Sequence, residues 1–228
     1  MRFDIITIFP NIFDSYFNES ILARAKEKKL VEIKIHNLRD WAEDKHKTVD
    51  DSPYGGGPGM VMRPDVIATA VAKVKSQPRR SKGGRGSDTK ASEKTKVILF
   101  SPAGKKFTQK DAQRLSKYNQ LILVCGRYEG IDRRAEKYIA DEIFSIGDFV
   151  LSGGEIPAMA VVESVSRQIK GVLGKQESIE EKRYGIGVPA YTRPESVIIK
   201  GKKRAVPKVL VSGDHKKIEE WRKSQIGK

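Results

Sequence analysis

Three short apolar runs, each ended by glycine, lie close together between residues 121 and 159 and constrain the fold more than any other feature of the sequence. Short apolar runs that stop at glycine are typical of buried parallel strands leading into tight loops. Loops at the same ends of neighbouring strands can line one ligand crevice, although ordinary turns of an α/β domain give the same pattern, and the pattern alone leaves both interpretations open. The runs and their glycines are Leu121–Cys125 with Gly126 and Gly130, Ile143–Ile146 with Gly147, and Phe149–Leu151 with Gly153 and Gly154.

Strands and helices alternate along the first 170 residues. Arg2–Phe9 predicts a buried strand that Pro10 ends, and the alternating segment Val31–Leu38 predicts a second strand. Between them, apolar residues at helical spacing predict one helix over Asn11–Leu30. Such alternation is typical of an α/β fold with a mainly parallel sheet. The other predicted elements are a helix that begins at Arg63-Pro64-Asp65, a strand over Lys96–Ser101 with a turn at Pro102-Ala103-Gly104, a helix opened by Thr108 and Asp111, a short helix over Ile131–Tyr138, and a helix that has Pro157 in its first turn and ends near Ile169.

The organisation of the chain changes after residue 170. The last segment is too short to be very stable alone, and it predicts a strand around Val209 and a final helix around Ile218–Trp221. Within the first part, residues 76–95 are polar, basic and glycine-bearing, which predicts a disordered insert. The predicted organisation is a large α/β domain over residues 1–170, a linker over 171–188, and a small, basic, mainly helical domain over 189–228.

The net charge of +15 is concentrated in two segments. Residues 78–96 carry seven basic and two acidic side chains, and residues 193–228 carry eleven basic and four acidic ones. A polyanion, most often a nucleic acid, is the natural partner, although lysine-rich surfaces also serve solubility alone. No segment has the length of a membrane span, no signal-peptide pattern follows Met1, and the single cysteine, Cys125, lies in an apolar strand. We therefore expect a cytoplasmic protein without a membrane partner.

A loop rich in glycine and proline, DDSPYGGGPG, covers Asp50–Gly59 and excludes a helix or a central strand. It is either a flexible connector or a shaped binding loop, with Asp50, Asp51 and Tyr54 as its polar groups. His46 precedes it, but no second histidine or cysteine follows at the spacing of metal ligands, so we expect no metal site there. Neither a G-x-G-x-x-G sequence nor a P-loop is present, which disfavours the nucleotide cofactors that those motifs bind.

Five motifs, in the same order, resemble those of the bacterial tRNA (guanine-N1)-methyltransferases, a family of SPOUT enzymes. The resemblance covers nearly the whole chain except the insert near residues 77–95, and several long motifs are far more specific than a single glycine pattern. The motifs are HKTVDDSPYGGGPGMVM ending at Met62, CGRYEGID beginning at Cys125, SIGDFVLSGGEIPAM beginning at Ser145, GVLGKQES beginning at Gly171, and YTRPE beginning at Tyr191.

The resemblance implies a SPOUT α/β domain with a deep C-terminal trefoil knot, which periodicity could not predict because knots are almost absent from proteins. It also implies that the knotted loops bind S-adenosylmethionine, that a homodimer completes each site, and that Mg²⁺ can take part in the reaction. The residues that match the family's cofactor loops are Ser101, Pro102, Gly104, Gly126, Tyr128, Glu129, Gly130, Ser145, Ile146, Gly147, Asp148, Phe149, Val150, Leu151, Gly153, Gly154 and Pro157.

The activity that the resemblance implies is methyl transfer to N1 of guanosine at position 37 of tRNA. Because this nitrogen carries a proton, a base must remove it, and a positive group should stabilise the charge that grows on O6. Arg167 matches the family arginine for the second role. The residues that the resemblance places near the tRNA are Asp50, Asp51, Tyr54, Gly55, Gly56, Gly57, Tyr191 and Arg193.

The residue expected as the base is replaced in this chain. The family places an aspartate directly after a Glu-Glu pair in the linker, whereas here Lys182 follows Glu180 and Glu181. A lysine ammonium cannot accept a proton unless its pKa is strongly lowered. Three interpretations stay open: one of the two glutamates acts, which we favour, another carboxylate such as Asp50 or Asp51 acts, or the chain binds without catalysing. The alternative functions are therefore a related SPOUT methyltransferase with another RNA target and a nonenzymatic RNA-binding homologue.

Overall fold

A computed structural model describes residues 1–77, 94–174 and 187–225 of the chain. The chain divides into two compact units, Met1–Val172 and Leu173–Lys228. Most of the insert predicted at 76–95 lies outside the described residues. The elements of the first unit are β1 (Arg2–Thr7), α1 (Asp14–Phe17), α2 (Ser20–Glu27), β2 (Glu32–Asn37), β3 (Asp50–Asp51), β4 (Val61–Met62), α3 (Pro64–Ser76), β5 (Thr95–Lys106), α4 (Gln109–Leu115), β6 (Gln120–Val124), α5 (Arg133–Tyr138), β7 (Glu142–Ser145) and α6 (Glu155–Ser166).

Five parallel strands form the central sheet of the first unit, in the order β2-β1-β6-β5-β7. Every residue of β1 and β6 is buried, and successive residues of these strands point to opposite faces of the sheet. Phe3 and Leu121 pack with apolar residues of α2, α4 and α6, whereas Ile6 and Ile122 pack with those of α3 and α5. Helices thus cover both faces, which confirms the predicted α/β fold with a mainly parallel sheet.

The helix predicted over Asn11–Leu30 is wrong as a single element. The chain forms a 3-10 turn at Pro10–Phe13 and then α1 and α2, which are separated at Asn18 and the residue after it. The ammonium group of Lys26 donates to the carbonyl oxygen of Phe17 at 3.2 Å and to Oδ1 of Asn18 at 2.6 Å. A side chain from the next helix therefore satisfies the end of α1, so the backbone does not need to continue as a helix there.

The strand predicted over Lys96–Ser101 is part of the longer strand β5. Phe100 and Lys105 both lie opposite Phe144 of β7, so the four residues between them bulge out of the hydrogen-bond ladder. The turn predicted at Pro102-Ala103-Gly104 is this bulge, after which the strand resumes.

The apolar run Phe149–Leu151, which predicts a third strand beside the glycine loops, is not a strand. Among the residues that the structure describes it pairs with no other strand, and Val150 is 82% exposed. The run lines a cavity at the edge of the sheet instead of filling its core. Its apolar composition therefore has a cause other than burial in the sheet.

The second unit contains β8 (Ser196–Ile199), β9 (Lys202–Ala205), a 3-10 turn at Lys208–Val211, and α7 (His215–Lys223). The strand predicted around Val209 is wrong, because this residue lies in the 3-10 turn that starts directly after Pro207. The final helix predicted around Ile218–Trp221 is present as α7, and its first turn is capped by Asp214, whose side chain accepts from the Lys217 backbone N–H. The antiparallel hairpin of β8 and β9 is absent from the sequence-based prediction.

Candidate functional site

A cavity of about 310 Å³ opens where the carboxyl ends of β5, β6 and β7 meet. Its wall consists of the bulge in β5, the loop that follows β6, and the loop between β7 and α6. Parallel strands bring such loops together at one edge of a sheet, which is where ligands of open α/β sheets bind. We call this the strand-end cavity.

Of the residues predicted to bind the cofactor, all but Gly104 and Asp148 line the strand-end cavity. Gly104 instead permits the bulge to touch β7, since a Cβ at this position would lie 2.7 Å from the carbonyl carbon of Phe144. The exposed Asp148 carboxylate pairs with Lys106. The motifs therefore locate the cavity, while ligand binding by its residues stays a prediction.

Six further residues, outside the set predicted to bind the cofactor, also line the cavity. Arg127 lies within the motif CGRYEGID, between two predicted residues, and that position was a signal for it. Glu136 belongs to α5, and nothing in the sequence indicates that this helix reaches the cavity. The six are Phe100, Arg127, Ile131, Glu136, Phe144 and Ser152.

Two walls of the cavity touch through their backbones at Gly154. Its N–H donates to the carbonyl oxygen of Gly126 at 3.0 Å, and a Cβ on Gly154 would lie 2.8 Å from Cα of Cys125. Only glycine permits such an approach without displacing backbone. Cys125 itself is fully buried, and burial raises the pKa of its thiol well above the usual value, so it acts as a core residue and not as a nucleophile.

A buried carboxylate connects the loop after β6 to β1 and α6. Glu155, the first residue of α6, is 1% exposed. Its Oε1 accepts from Oγ1 of Thr7 at 2.8 Å, and its Oε2 accepts from Nε of Arg127 at 2.9 Å. The guanidinium carbon of Arg127 lies 4.7 Å from the ring centroid of Phe9, in cation–π contact. A carboxylate at a helix N-terminus is also favoured by the helix dipole.

The loop Asp50–Gly59 borders the loop after β6. β3 and β4 pair as a two-stranded ribbon that carries this loop. The Glu129 N–H donates to the carbonyl oxygen of Met60 at 2.9 Å, and the Met62 N–H donates to that of Gly130 at 3.0 Å. These bonds fix the ribbon to residues that line the strand-end cavity, so the loop predicted to lie near the tRNA is adjacent to a predicted cofactor loop.

The predicted substrate residues in this loop are accessible. Tyr54 is 99% exposed, and the three glycines after it have positive φ angles, with no atom within 4 Å of an added Cβ. Asp51 is exposed and its Oδ1 accepts from the Ser52 N–H at 2.7 Å, while Asp50 is half-buried. The loop therefore presents carboxylates and an aromatic ring at its surface.

Arg167 lies far from the cavity of its own chain. It directly follows α6, whereas Gly154, which lines the cavity, directly precedes the same helix. At the rise of an α-helix the two positions are roughly 20 Å apart along the helix axis. The structure therefore does not bring Arg167 together with the cofactor residues of the same chain.

The remaining predicted site residues cannot be placed at the cavity. Glu180 and Glu181, together with Lys182, lie outside the described residues. Tyr191 and Arg193 belong to the second unit, in which the Tyr191 ring contacts that of Trp221.

The described ranges contain neither a cluster of metal ligands nor a membrane-spanning helix. Within residues 1–77, 94–174 and 187–225, no group of three or more His, Cys, Asp or Glu side chains is placed to hold a metal ion. In the same part of the chain, none of the helices has the length and apolar character needed to cross a membrane.

Comparisons with known proteins agree on one family. The family model described as tRNA (Guanine-1)-methyltransferase TrmD matches residues 1–228. A Dictyoglomus turgidum protein named tRNA (guanine-N(1)-)-methyltransferase is 49% identical, over 99% of this chain and 84% of its own length. Proteins of the same name from Geobacter sp. and Alkaliphilus oremlandii are 45% and 47% identical, over 99% of this chain and 84% and 87% of their own lengths.

Proposed function

This chain belongs to the tRNA (guanine-1)-methyltransferase family, and we propose that it transfers a methyl group from S-adenosylmethionine to N1 of guanosine at position 37 of tRNA. The observation that carries this proposal is the strand-end cavity, whose wall consists largely of residues in the family's cofactor motifs. Methylation of tRNA at guanine N1 is also the activity for which the curated relatives are named. The cytoplasm, where tRNA is found, is the proposed location.

The cavity suits S-adenosylmethionine. Its volume of about 310 Å³ lies within the range of small-molecule pockets. Apolar side chains such as Ile146, Leu151 and Pro157 share its wall with glycine backbone, which leaves N–H and C=O groups open to a ligand. When bound, this cofactor supplies a methyl group that its sulfonium already activates. The protein must then position guanine N1 and remove its proton.

We propose that a homodimer completes each site, because Arg167 is roughly 20 Å from the cavity of its own chain along α6. Arg167 of the partner subunit would then stabilise the charge on guanine O6. An exposed apolar surface supports association. Ile12 and Ile156, which are 40% and 56% exposed, lie on the 3-10 turn Pro10–Phe13 and on α6, two elements that contact each other. Exposed apolar patches of this kind mark interaction sites.

Glu181 or Glu180 is the proposed base that removes the N1 proton, because these carboxylates are next to Lys182, where the family has an aspartate. Asp50 and Asp51 are the alternative, since the ribbon to which they belong is bonded to the cofactor loop. A positioned base contributes on the order of 100-fold or more to a rate.

Glu177, Glu180 and Glu181 are the three carboxylates of the predicted linker over residues 171–188, and changing each of them singly to glutamine tests this assignment. Turnover should fall about 100-fold in one variant while binding of S-adenosylhomocysteine is retained, because the change removes a proton acceptor and leaves every residue of the predicted cofactor loops in place. If turnover is unchanged in all three, Asp50→Asn or Asp51→Asn should abolish it instead.

Each part of the chain has a proposed role. The catalytic domain covers residues 1–170, and the loops around the strand-end cavity are its knotted segments. The linker covers residues 171–188, and the domain that binds tRNA covers residues 189–228. The excess of eleven basic over four acidic side chains in residues 193–228 supports the last assignment, because phosphate contacts dominate nucleic-acid affinity.

A transfer assay with labelled S-adenosylmethionine tests the function. Unmodified tRNA with guanosine at position 37 should be methylated, and the same transcript with adenosine at position 37 should not. The assay is run with Mg²⁺ and with EDTA, which tests the magnesium requirement that the family implies. Methylation elsewhere in RNA would indicate a related enzyme with another target, and tRNA binding without transfer would indicate a nonenzymatic homologue.

A further inference from the structure

Among the described residues, fewer cationic than anionic side chains line the strand-end cavity. Within the described residues the wall has one cation, Arg127, and two carboxylates, Glu129 and Glu136. The methionine part of S-adenosylmethionine carries an α-carboxylate beside an α-ammonium group. Because a carboxylate removed from water without a partner is strongly disfavoured, it should lie where the wall is positive.

Arg127 is held in one orientation by groups on three sides. Its backbone N–H contacts Sδ of Met62 at 3.1 Å, its Nε donates to Glu155 at 2.9 Å, and its guanidinium covers the ring of Phe9. Gly153 makes room for the pair, since a Cβ there would lie 2.4 Å from Nε of Arg127 and 2.5 Å from Oε2 of Glu155. The side chain of Arg127 is 21% exposed, so the ion pair is shielded from bulk water but remains open to a ligand.

The terminal amino groups of Arg127 remain available. The bond to Glu155 uses only the N–H on Nε, one of the five donors of a guanidinium. Within residues 1–77, 94–174 and 187–225 neither terminal nitrogen forms a hydrogen bond or ion pair with another side chain or with the backbone. Two such groups on one planar fork match the two oxygens of a carboxylate.

We propose that Arg127 binds the α-carboxylate of S-adenosylmethionine through its terminal amino groups and that Glu155 is the positioning residue that holds it there. This assignment rests on the proposed function, because it names how that cofactor is recognised. Glu155 touches no ligand in this arrangement, since it is 1% exposed and acts through Arg127. Arg127 discriminates S-adenosylmethionine from adenosine compounds that lack the amino-acid tail.

Two ligands distinguish recognition of the α-carboxylate by Arg127 from a purely structural role of Arg127 in packing its loop. S-adenosylhomocysteine has the α-carboxylate, and 5′-methylthioadenosine lacks the whole amino-acid tail. In titration calorimetry, Arg127→Met should weaken S-adenosylhomocysteine binding about 10- to 100-fold and change 5′-methylthioadenosine binding less than about threefold. Arg127→Lys should be intermediate, because the charge remains while the two-pronged geometry is lost.

Glu155→Gln tests the positioning role. The amide still accepts from Thr7 but carries no charge for Arg127, so S-adenosylhomocysteine binding should weaken by about fivefold or more with little effect on 5′-methylthioadenosine. Combined with Arg127→Met, the effect should be less than additive, because both changes remove one interaction. Arg24→Met, at an exposed arginine of α2, is the matched control and should bind both ligands as the unchanged protein does.

The outcomes distinguish failure of the Arg127 assignment from failure of the proposed methyltransferase function. Equal losses for both ligands, or no loss for either, would overturn the assignment of Arg127 while leaving the methyltransferase function in place. Failure of the unchanged protein to bind S-adenosylhomocysteine would overturn both. Circular dichroism and thermal unfolding of each variant show that the protein measured is folded.

Discussion

Gly154, which lines the strand-end cavity, and the buried Glu155 that follows it act in opposite ways. Gly154 acts through the absence of a side chain, because its backbone must approach that of Cys125 and bond to Gly126. Glu155 acts through a buried carboxylate that holds Arg127. At the scale of single residues, the site therefore depends on close backbone contact on one side and on a fixed charge on the other.

Gly154→Ala should destabilise the protein and weaken cofactor binding together. The added Cβ would lie 2.8 Å from Cα of Cys125, so the two loops must separate. We expect the free energy of unfolding in urea to fall by about 1–3 kcal/mol and S-adenosylhomocysteine affinity in calorimetry to fall about tenfold.

Gly174→Ala is the matched control for this change, because nothing lies within 4 Å of a Cβ at that position. Its stability and affinity should stay within about 0.5 kcal/mol of those of the unchanged protein. Equal effects of the two substitutions would show that the contact between the loops is unimportant.

At the scale of elements, an ion-pair cluster fastens α4 to the strands that end at the cavity. Asp111 closes a capping box with Thr108 and also accepts from Nζ of Lys105 on β5 at 2.8 Å. Arg114 pairs with both oxygens of Glu142 on β7, at 2.8 and 2.6 Å. The same helix thus stabilises the start of β7 and the end of β5.

Asp111 should make stability depend on acid pH. Burial by itself would raise the pKa of this carboxyl, but hydrogen bonds from Lys105, Thr108 and Arg114 outweigh it and lower the pKa to about 2 from 3.8. A lowered pKa stabilises the folded protein above pH 3.8, and this stabilisation is lost as pH falls through about 2.

Asp111→Asn should therefore lower the free energy of unfolding at pH 7 by about 2 kcal/mol, and its difference from the unchanged protein should shrink between pH 4 and pH 2. Urea unfolding at several pH values measures this difference. A difference that stays constant over this range would contradict the assigned cause.

An element could be predicted when the residues that determine it have a recognisable spacing in the sequence, and could not when it depends on a contact that forms only on folding. The capping box was readable, because Thr108 and Asp111 are three residues apart in the sequence. The break between α1 and α2 was not, since it depends on Lys26 reaching back to Phe17. The hairpin of β8 and β9 was missed because its strands are largely exposed, although the positive φ of Lys200 and Gly201 marks its turn.

The candidate site likewise combines features that the sequence predicts with features that arise only on folding. The motifs that resemble the family's cofactor loops identified most of the cavity wall, because the wall is built largely from a few short continuous segments of the chain. Arg127 and Glu155 were missed as a pair because they are joined by folding and not by sequence spacing. The run Phe149–Leu151 was misassigned because cavity walls and sheet cores use the same apolar residues.

At the scale of the whole molecule, the cavity belongs to one unit of one chain, whereas Arg167 lies at the other end of α6. Cofactor binding and catalysis should therefore respond differently to association of two chains. If the proposed dimer forms, cofactor binding should require only the strand-end cavity, and methyl transfer should require a second copy that supplies Arg167.

Ile12→Glu should separate these two properties. A charge on the exposed apolar surface should convert the dimer to a monomer in analytical ultracentrifugation, with methyl transfer falling in proportion and S-adenosylhomocysteine binding within about threefold of the unchanged protein. Val211→Glu, at a 53% exposed residue of the second unit, should leave association unchanged. A monomeric unchanged protein with full activity would contradict the proposed dimer.

The most direct measurement of the central claim is nucleoside mapping of tRNA after incubation with the protein and S-adenosylmethionine. Nuclease digestion and mass spectrometry should find N1-methylguanosine at position 37 and no other new methylated nucleoside. This result would mean that another base acts where Lys182 replaces the family aspartate. Cofactor binding without any methylated nucleoside, or a methyl group at another position, would contradict the account.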